Sequence, residues 1–218
     1  MKIFFFESIY NTQEFALENL EDEPVFVVSY SQEKGRGTTN KKWSNADQAL
    51  ACSLSIFEDE VNLSTGLIPL LSGYVFTKIV KDRNISLKWP NDLKLNNLKI
   101  GGILVEKIEN KIVIGMGINY FWKNPKIPGA GSLYDEKIQY SQINEDATKW
   151  AEIVLTHLRS GDFNIQNYIE NLQTLGKLVE YPEGRGWARK VNDDGSLQIE
   201  TTDGNFINLT SNVISEIE

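Results

Sequence analysis

Residues 88–106 read KWPNDLKLNNLKIGGILVE. Pro90 fixes its own backbone angle and biases Trp89 toward extended geometry, so Asn91 and Asp92 are held in a defined place at a strand end. Gly101 and Gly102 interrupt a run that otherwise wants strand side chains, and glycines inside a strand let a ligand or another backbone come close. Lys99 stands just before them, a cation beside bare backbone. On this chemistry two readings stay open: a tight turn followed by a bulged hairpin, or a strand end shaped around a ligand.

The flanking sequence sets this stretch in an α/β chain. Upstream, Leu67, Leu70, Leu71, Tyr74, Val75 and Ile79 recur at the spacing of an amphipathic helix within 66–83, and Pro69 suits its first turn. ISLKW, LKIGGILVEKI and KIVIGMGINYF read as three strands, the last two joined by a tight hairpin at Glu109-Asn110-Lys111. Residues 2–6 (KIFFF), 24–30 (PVFVVSY) and 49–57 (ALACSLSIF) are further strands, the last by its alternation. Asn11 followed by Glu14 has the form of a capping box, whose helix would bury Phe15, Leu17 and Leu20. Beyond the loop NPKIPGAG, a helical region covers 144–175 with a break at Gly161. After Gly176, short strands alternate with turn signals. Two Asp-Gly turns there read as consecutive hairpins of a small β barrel packed on the main domain.

Composition narrows the function. The 218 residues are 41% apolar and 24% charged, enough to bury a core. A net charge of −8 makes the chain a poor general partner for nucleic acid, whose phosphates demand a basic surface. A single cysteine, Cys52, excludes an internal disulfide framework and paired-cysteine zinc sites, and a single histidine, His157, leaves little room for a transition metal or a Ser/His/Asp hydrolase set. MKIFFFES is not a signal peptide, and no run approaches the ~20 apolar residues of a membrane span. A cytoplasmic protein without membrane or nucleic-acid partners is expected.

Two more segments carry chemistry. QEKGRGTTNKKW, 32–43, is a cationic glycine loop in which backbone N–H groups and Arg36 can address one anion. It is neither a GxxxxGK[ST] loop nor a GxGxxG fingerprint, and a solvated surface loop is the plain alternative. GMGIN, 115–119, puts two glycines on one strand face with Asn119 at its end, and close strand packing would also account for it.

Taken in order and spacing, these segments resemble the biotin protein ligases over nearly the whole chain. The family's glutamine and GRGRxGRxW are matched by Gln32, Gly35, Arg36, Gly37 and Trp43. Its KWPND and K-x-x-G-I-L-x-E are matched by 88–92 and by Lys99, Gly102, Ile103, Leu104 and Glu106, and its G-x-G-x-N by Gly115, Gly117 and Asn119. The family's second arginine is Thr38 here, its later glycine and arginine are Asn40 and Lys41, and its Ser-Thr-Asn is met only loosely by Ser8-Ile9-Tyr10-Asn11. Larger members carry an N-terminal DNA-binding helix-turn-helix. This chain opens on the catalytic strand, so no repressor role is expected.

The resemblance implies an α/β (α+β) fold of the class II aminoacyl-tRNA-synthetase-like kind. Residues 1–175 would form the catalytic domain, a mixed, mostly antiparallel sheet with helices on one side, and 176–218 a C-terminal SH3-like barrel. It implies that biotin is activated by ATP and Mg²⁺ to biotinyl-5′-AMP and passed to a lysine of the biotin carboxyl carrier protein. Arg36, Lys99 and Asp92 would be catalytic, Asp92 orienting the lysine amine or taking its proton. Biotin would meet Ser8, Asn11, Gln32, Gly35, Arg36, Gly37, Thr38, Lys99, Gly101 and Gly102. ATP would meet Arg36, Trp43, Lys88, Asn91, Lys99, Asn119 and Trp122, its phosphates holding most of the Mg²⁺. A homodimer through sheet edges fits the resemblance. A lipoate–protein ligase and a non-catalytic biotin-binding protein are the alternatives.

Overall fold

The structure is a computed structural model and describes residues 1–38, 43–210 and 214–216. The apolar runs form β1 (Lys2–Phe6), β2 (Val25–Ser29), β3 (Gln48–Phe57), β4 (Ser86–Lys88), β5 (Asp92–Leu95), β6 (Leu98–Ile108) and β7 (Lys111–Phe121). These make one sheet in the order β1-β2-β3-β7-β6-β5-β4, in which only β1 and β2 run parallel. Among the described residues four α-helices accompany it: α1 (Thr12–Glu18), α2 (Ile68–Ile79), α3 (Tyr140–Ser160) and α4 (Ile165–Ile169).

Strand parity divides the sheet into two faces. Phe26, Val28, Leu54, Ile114, Met116 and Ile118 point into the main core under α2 and α3, where Phe26 packs against the buried Trp150. Val25, Val27 and Val113 point the other way and pack with Ala16 of α1. Helices therefore cover both faces, not one, and α1 shares its face with the site described below. Because both faces are covered, β3 is buried almost throughout instead of alternating. Its serines are satisfied inside the protein: Ser55 Oγ donates to the Ala16 carbonyl at 2.7 Å.

Local details follow the chemistry with instructive departures. Asn11 caps α1, its Oδ1 accepting from the N–H of Gln13 and Glu14 at 2.9 and 3.1 Å. Glu14, expected to close the box, instead directs its carboxylate to Arg36 at 3.6 Å. The fully buried side of α1 is Thr12, Gln13 and Ala16, while Phe15 stands edge-on against Phe4 and Phe6 of β1. Short 3₁₀ turns, Glu58–Glu60 and Thr65–Leu67, precede α2, and α3 starts at Tyr140 instead of 144, ending on Gly161 at φ 71°.

Between β5 and β6 a two-residue turn, Asn96-Asn97, adopts left-handed φ of 50° and 64°, and the ladder slips between Leu93 and Lys94. The bulged-hairpin reading of 88–106 thus holds for the backbone. It leaves the second reading intact, because the hairpin's open face is where the cavity lies.

The C-terminal strands β8 (Leu178–Tyr181), β9 (Gly184–Val191), β10 (Leu197–Thr201), β11 (Phe206–Leu209) and β12 (Ser215–Glu216) form a five-stranded antiparallel sheet, β11-β10-β9-β8-β12. Gly195 and Gly204, at φ 87° and 83°, make its Asp-Gly turns. Val179, Ala188, Leu197 and Ile199 join the same buried cluster as the first sheet. Trp89 Nε1 donates to the Gly195 carbonyl at 2.9 Å, tying this sheet to the start of the KWPND segment.

Candidate functional site

On the α1 face, β3, β7 and β6 lay down a floor with few side chains. Ser53, Gly115 and Leu104 form one cross-strand row, and Gly117 and Gly102 belong to the next. A cavity of about 290 Å³ opens above it, near the lower end of ligand-pocket sizes. Its walls come from Thr12 and Gln13 of α1, from Gln32, Arg36, Gly37, Thr38, Trp43 and Ser44, and from Ile127, Pro128, Gly129 and Ala130. The last segment is placed by backbone pairing with Lys99: Lys99 N donates to the Gly129 carbonyl at 2.7 Å and Gly131 N to the Lys99 carbonyl at 2.9 Å.

One end of the cavity is neutral. Thr12 N and Oγ1 both donate to Gln32 Oε1, at 2.8 and 2.9 Å, and Ser53 Oγ donates to Thr12 Oγ1 at 2.8 Å. Gln32 Oε1 is thereby saturated, so the remaining capacity of this amide is its Nε2 donor. The glycine strip follows. A Cβ on Gly117 would lie 2.8 Å from the Trp43 indole, so that ring rests directly on the strand. Gly35 permits the same loop to fold back, with Trp43 N donating to its carbonyl at 2.9 Å.

The other end is cationic. Lys99 Nζ pairs with Asp92 Oδ1 at 2.5 Å, and Asn119 Nδ2 donates to the Gly131 carbonyl at 2.9 Å. Asn119 is buried, and among the described residues its Oδ1 has no hydrogen-bond partner. Lining the cavity, this acceptor is placed to receive a donor from a bound molecule. Asn91 is locked by two bonds to Ile103, Nδ2 donating at 2.7 Å and its carbonyl accepting at 2.9 Å. Behind this wall, burial pushes the Tyr168 phenol well up, and the negative charge of Asp92 adds to that, so Tyr168 stays protonated.

Of the residues expected to act, Gln32, Arg36, Gly37, Thr38, Trp43, Asn91, Lys99, Gly102, Asn119 and Trp122 line this one cavity. Six do not. Ser8 is exposed, and Asn11 is occupied by the α1 cap and a bond to the Lys34 carbonyl. Thr12, one residue on from Asn11, takes the wall position. Gly35 supports Trp43, Lys88 lies on β4 opposite Asp92, and Asp92 stands behind Lys99 as its counter-ion. Gly101 faces the opposite side of the sheet, against Ile118. Asn40 and Lys41 lie outside the described residues.

Arg36 and Lys99 are not brought together. The guanidinium lies 3.4 Å from Glu106 and 3.6 Å from Glu14, while Lys99 is at the far end of the same strand as Glu106. Partly exposed pairs of this type contribute about 0.2–1 kcal/mol, so exchanging them for a bound anion costs little.

The sequence model of the Biotin/lipoate A/B protein ligase family matches residues 5–119. This chain belongs to that family. Among biotin/lipoate ligase relatives it is similar to biotin–protein ligase 2 of Arabidopsis thaliana, 33% identical over 124 residues, covering 50% of this chain and 37% of that protein. It is also similar to the bifunctional ligase/repressor BirA of Salmonella typhimurium, 34% identical over 199 residues, covering 79% of this chain and 61% of that protein. The alignments span about a third of that plant protein and of biotin–protein ligase 1, chloroplastic, of the same species, 37% and 34% of their lengths. The solved biotin protein ligase of Aquifex aeolicus in complex with biotin and ATP shares the fold, with TM-score 0.82 at 24% identity over 99% of this chain and 98% of that one.

Several wall residues of this ligase-family chain carry no signal in the sequence. Thr12 and Ser53 read as a helix start and a strand serine, and Ile127–Ala130 as an ordinary loop. Gly115 and Gly117 did carry one, in GMGIN.

Proposed function

We propose that the protein is an ATP-dependent biotin–[biotin carboxyl carrier protein] ligase, with residues 1–175 carrying the chemistry and 176–218 a supporting β unit. The observation that carries this reading is the order along the floor: a neutral hydrogen-bonded cluster of Thr12, Gln32 and Ser53 that presents the Gln32 Nε2 donor, then glycines, then Lys99 and Asn119. That order suits a ligand with an uncharged hydrogen-bonding head, a slim apolar tail and a terminal carboxylate. Biotin's ureido ring, valeryl chain and acid correspond to it in turn.

In the first half-reaction a biotin carboxylate oxygen bonds to the α-phosphorus of ATP, the bond from that phosphorus to the bridging β-oxygen breaks, and pyrophosphate leaves. Lys99 offsets charge where the two anions meet, and Arg36 leaves Glu106 and Glu14 to meet the phosphates. Asn119 and Trp122 serve the nucleotide side, and Trp43 covers the tail. The magnesium that accompanies ATP would be held mainly by phosphate oxygens. In the second half-reaction the carrier lysine nitrogen bonds to the acyl carbon, the acyl–phosphate bond breaks and AMP leaves. Asp92 does not line the cavity, but its Oδ1 lies 3.7 Å from where a Cβ at Gly102 would stand, and its Oδ2, the oxygen not committed to Lys99, would accept the amine's proton. Among the described residues no helix is long and apolar enough to cross a membrane. The cytoplasm is the compartment we assign, because the reaction consumes ATP.

Incubation with ATP, Mg²⁺, biotin and a carrier domain is expected to raise the carrier's mass by one biotinyl group, only when ATP is present. Modification by lipoate but not biotin would overturn the reading. Gln32→Leu leaves Thr12 and the ureido group without a partner, so the biotin KM should rise about 10–100-fold while that for ATP holds. An unchanged biotin KM would remove Gln32 from the head site.

A further inference from the structure

Glu216 lies in the C-terminal sheet, outside the cavity, yet it is wired to the segment that bears Asp92. Its side chain is 12% exposed, and its carboxylate meets Lys177 Nζ at 2.8 Å and Lys94 Nζ at 3.7 Å. Its Oε1 also accepts from Thr174 Oγ1 at 3.2 Å. Because the wholly buried Thr174 hydroxyl donates to Glu216, its lone pair is free to accept the Trp89 N–H, at 3.0 Å. One carboxylate therefore fixes the backbone that opens KWPND and neutralises a lysine on β5.

The second link matters electrically. Lys94 is two residues from Asp92 on one strand, so the two side chains share a face. Lys94 is also the register partner of Lys99 across the ladder, and like charges directly opposite repel. Three lysines thus flank Asp92 by register: Lys99 holds it at 2.5 Å, Lys88 lies opposite it on β4, and Lys94, two residues along its own strand, is drawn to Glu216.

We propose that Glu216 is a positioning residue: by engaging Lys94 and the Thr174–Trp89 link, it reserves Asp92 for Lys99 and keeps the Lys99 ammonium at the cavity. This rests on the ligase reading above. Glu216→Gln retains an acceptor for Thr174 and removes only the charge, so Lys94 turns to Asp92. The kcat of biotin-dependent ATP–pyrophosphate exchange should fall about tenfold, a coupling usual for neighbouring charges. The KM values for biotin and ATP should stay within about twofold. Lys94→Met alone should stay near the parent rate, and Lys94→Met with Glu216→Gln should recover most of what Glu216→Gln loses. A merely structural Glu216 would lower thermal stability without that recovery.

A second readout needs no turnover. In a crystal structure of the Glu216→Gln protein, Lys94 Nζ should lie within ion-pair distance of Asp92. An unchanged kcat in Glu216→Gln, a double variant as slow as the single, or an Asp92–Lys99 pair unaltered in that crystal would each overturn the proposal. Failure of the parent protein to exchange pyrophosphate with biotin would instead count against the ligase reading, and the crystal would still decide the role of Glu216.

Discussion

Lys99→Met is expected to lower the rate of biotinyl-adenylate formation about 10²–10³-fold, the loss usual when one preorganised donor to a developing oxyanion is removed. Two effects add. The transferred phosphoryl group loses its strand-borne cation, and Asp92, now 2.5 Å from no ammonium, presents a bare carboxylate to two incoming anions. A double variant separates them. If Lys99 served only to neutralise Asp92, Lys99→Met with Asp92→Asn would restore the rate. If it stabilises phosphoryl oxygens, the double variant stays slow, which is the expected result. Single-turnover measurement of adenylate formation in the three variants decides. Lys99→Met within about threefold of the parent would remove Lys99 from the chemistry.

Lys99 also shows which parts of the site a sequence can carry. Gln32, Arg36, Lys99 and Asn119 come from separate segments and line one cavity, and each lies in a motif dense enough to be read by resemblance. The sheet was legible for a simpler reason: strands β2, β3, β6 and β7 are long apolar runs bounded by turn residues. What escaped depends on contacts remote in the chain. Glu14 meets the usual local rule for a capping box, but Arg36 competes for its carboxylate. Residues 127–130 gain a role only through backbone pairing with Lys99, and Glu216 only because β12 lands beside Lys94 and Thr174. The Asn96-Asn97 turn was within reach, since asparagine tolerates positive φ, but two polar residues within KLNNLK gave no apolar boundary on which to end a strand.

Gly101 and Gly102 look alike in sequence and face opposite ways, which makes their replacement the most discriminating test of the fold. A Cβ at Gly101 would lie 2.5 Å from Ile118 Cδ1 and 2.7 Å from the Gly117 carbonyl oxygen. The isoleucine tip can rotate away. The carbonyl belongs to the next strand and cannot move without opening the β6–β7 ladder, so overpacking of about 1–3 kcal/mol is expected for Gly101→Ala. For a chain of this size that corresponds to a melting temperature lower by roughly 2–12 °C. A Cβ at Gly102 meets nothing nearer than 3.6 Å, at the Asn91 carbonyl oxygen and Lys99 Cε. Gly102→Ala should therefore fold with parental stability, yet place a methyl group on the cavity floor beside Lys99 and weaken ligand binding. Thermal melts and biotin titrations of the two variants should thus give opposite patterns. A destabilised Gly102→Ala with parental binding, beside a stable Gly101→Ala, would mean that the two faces of β6 have been assigned the wrong way round.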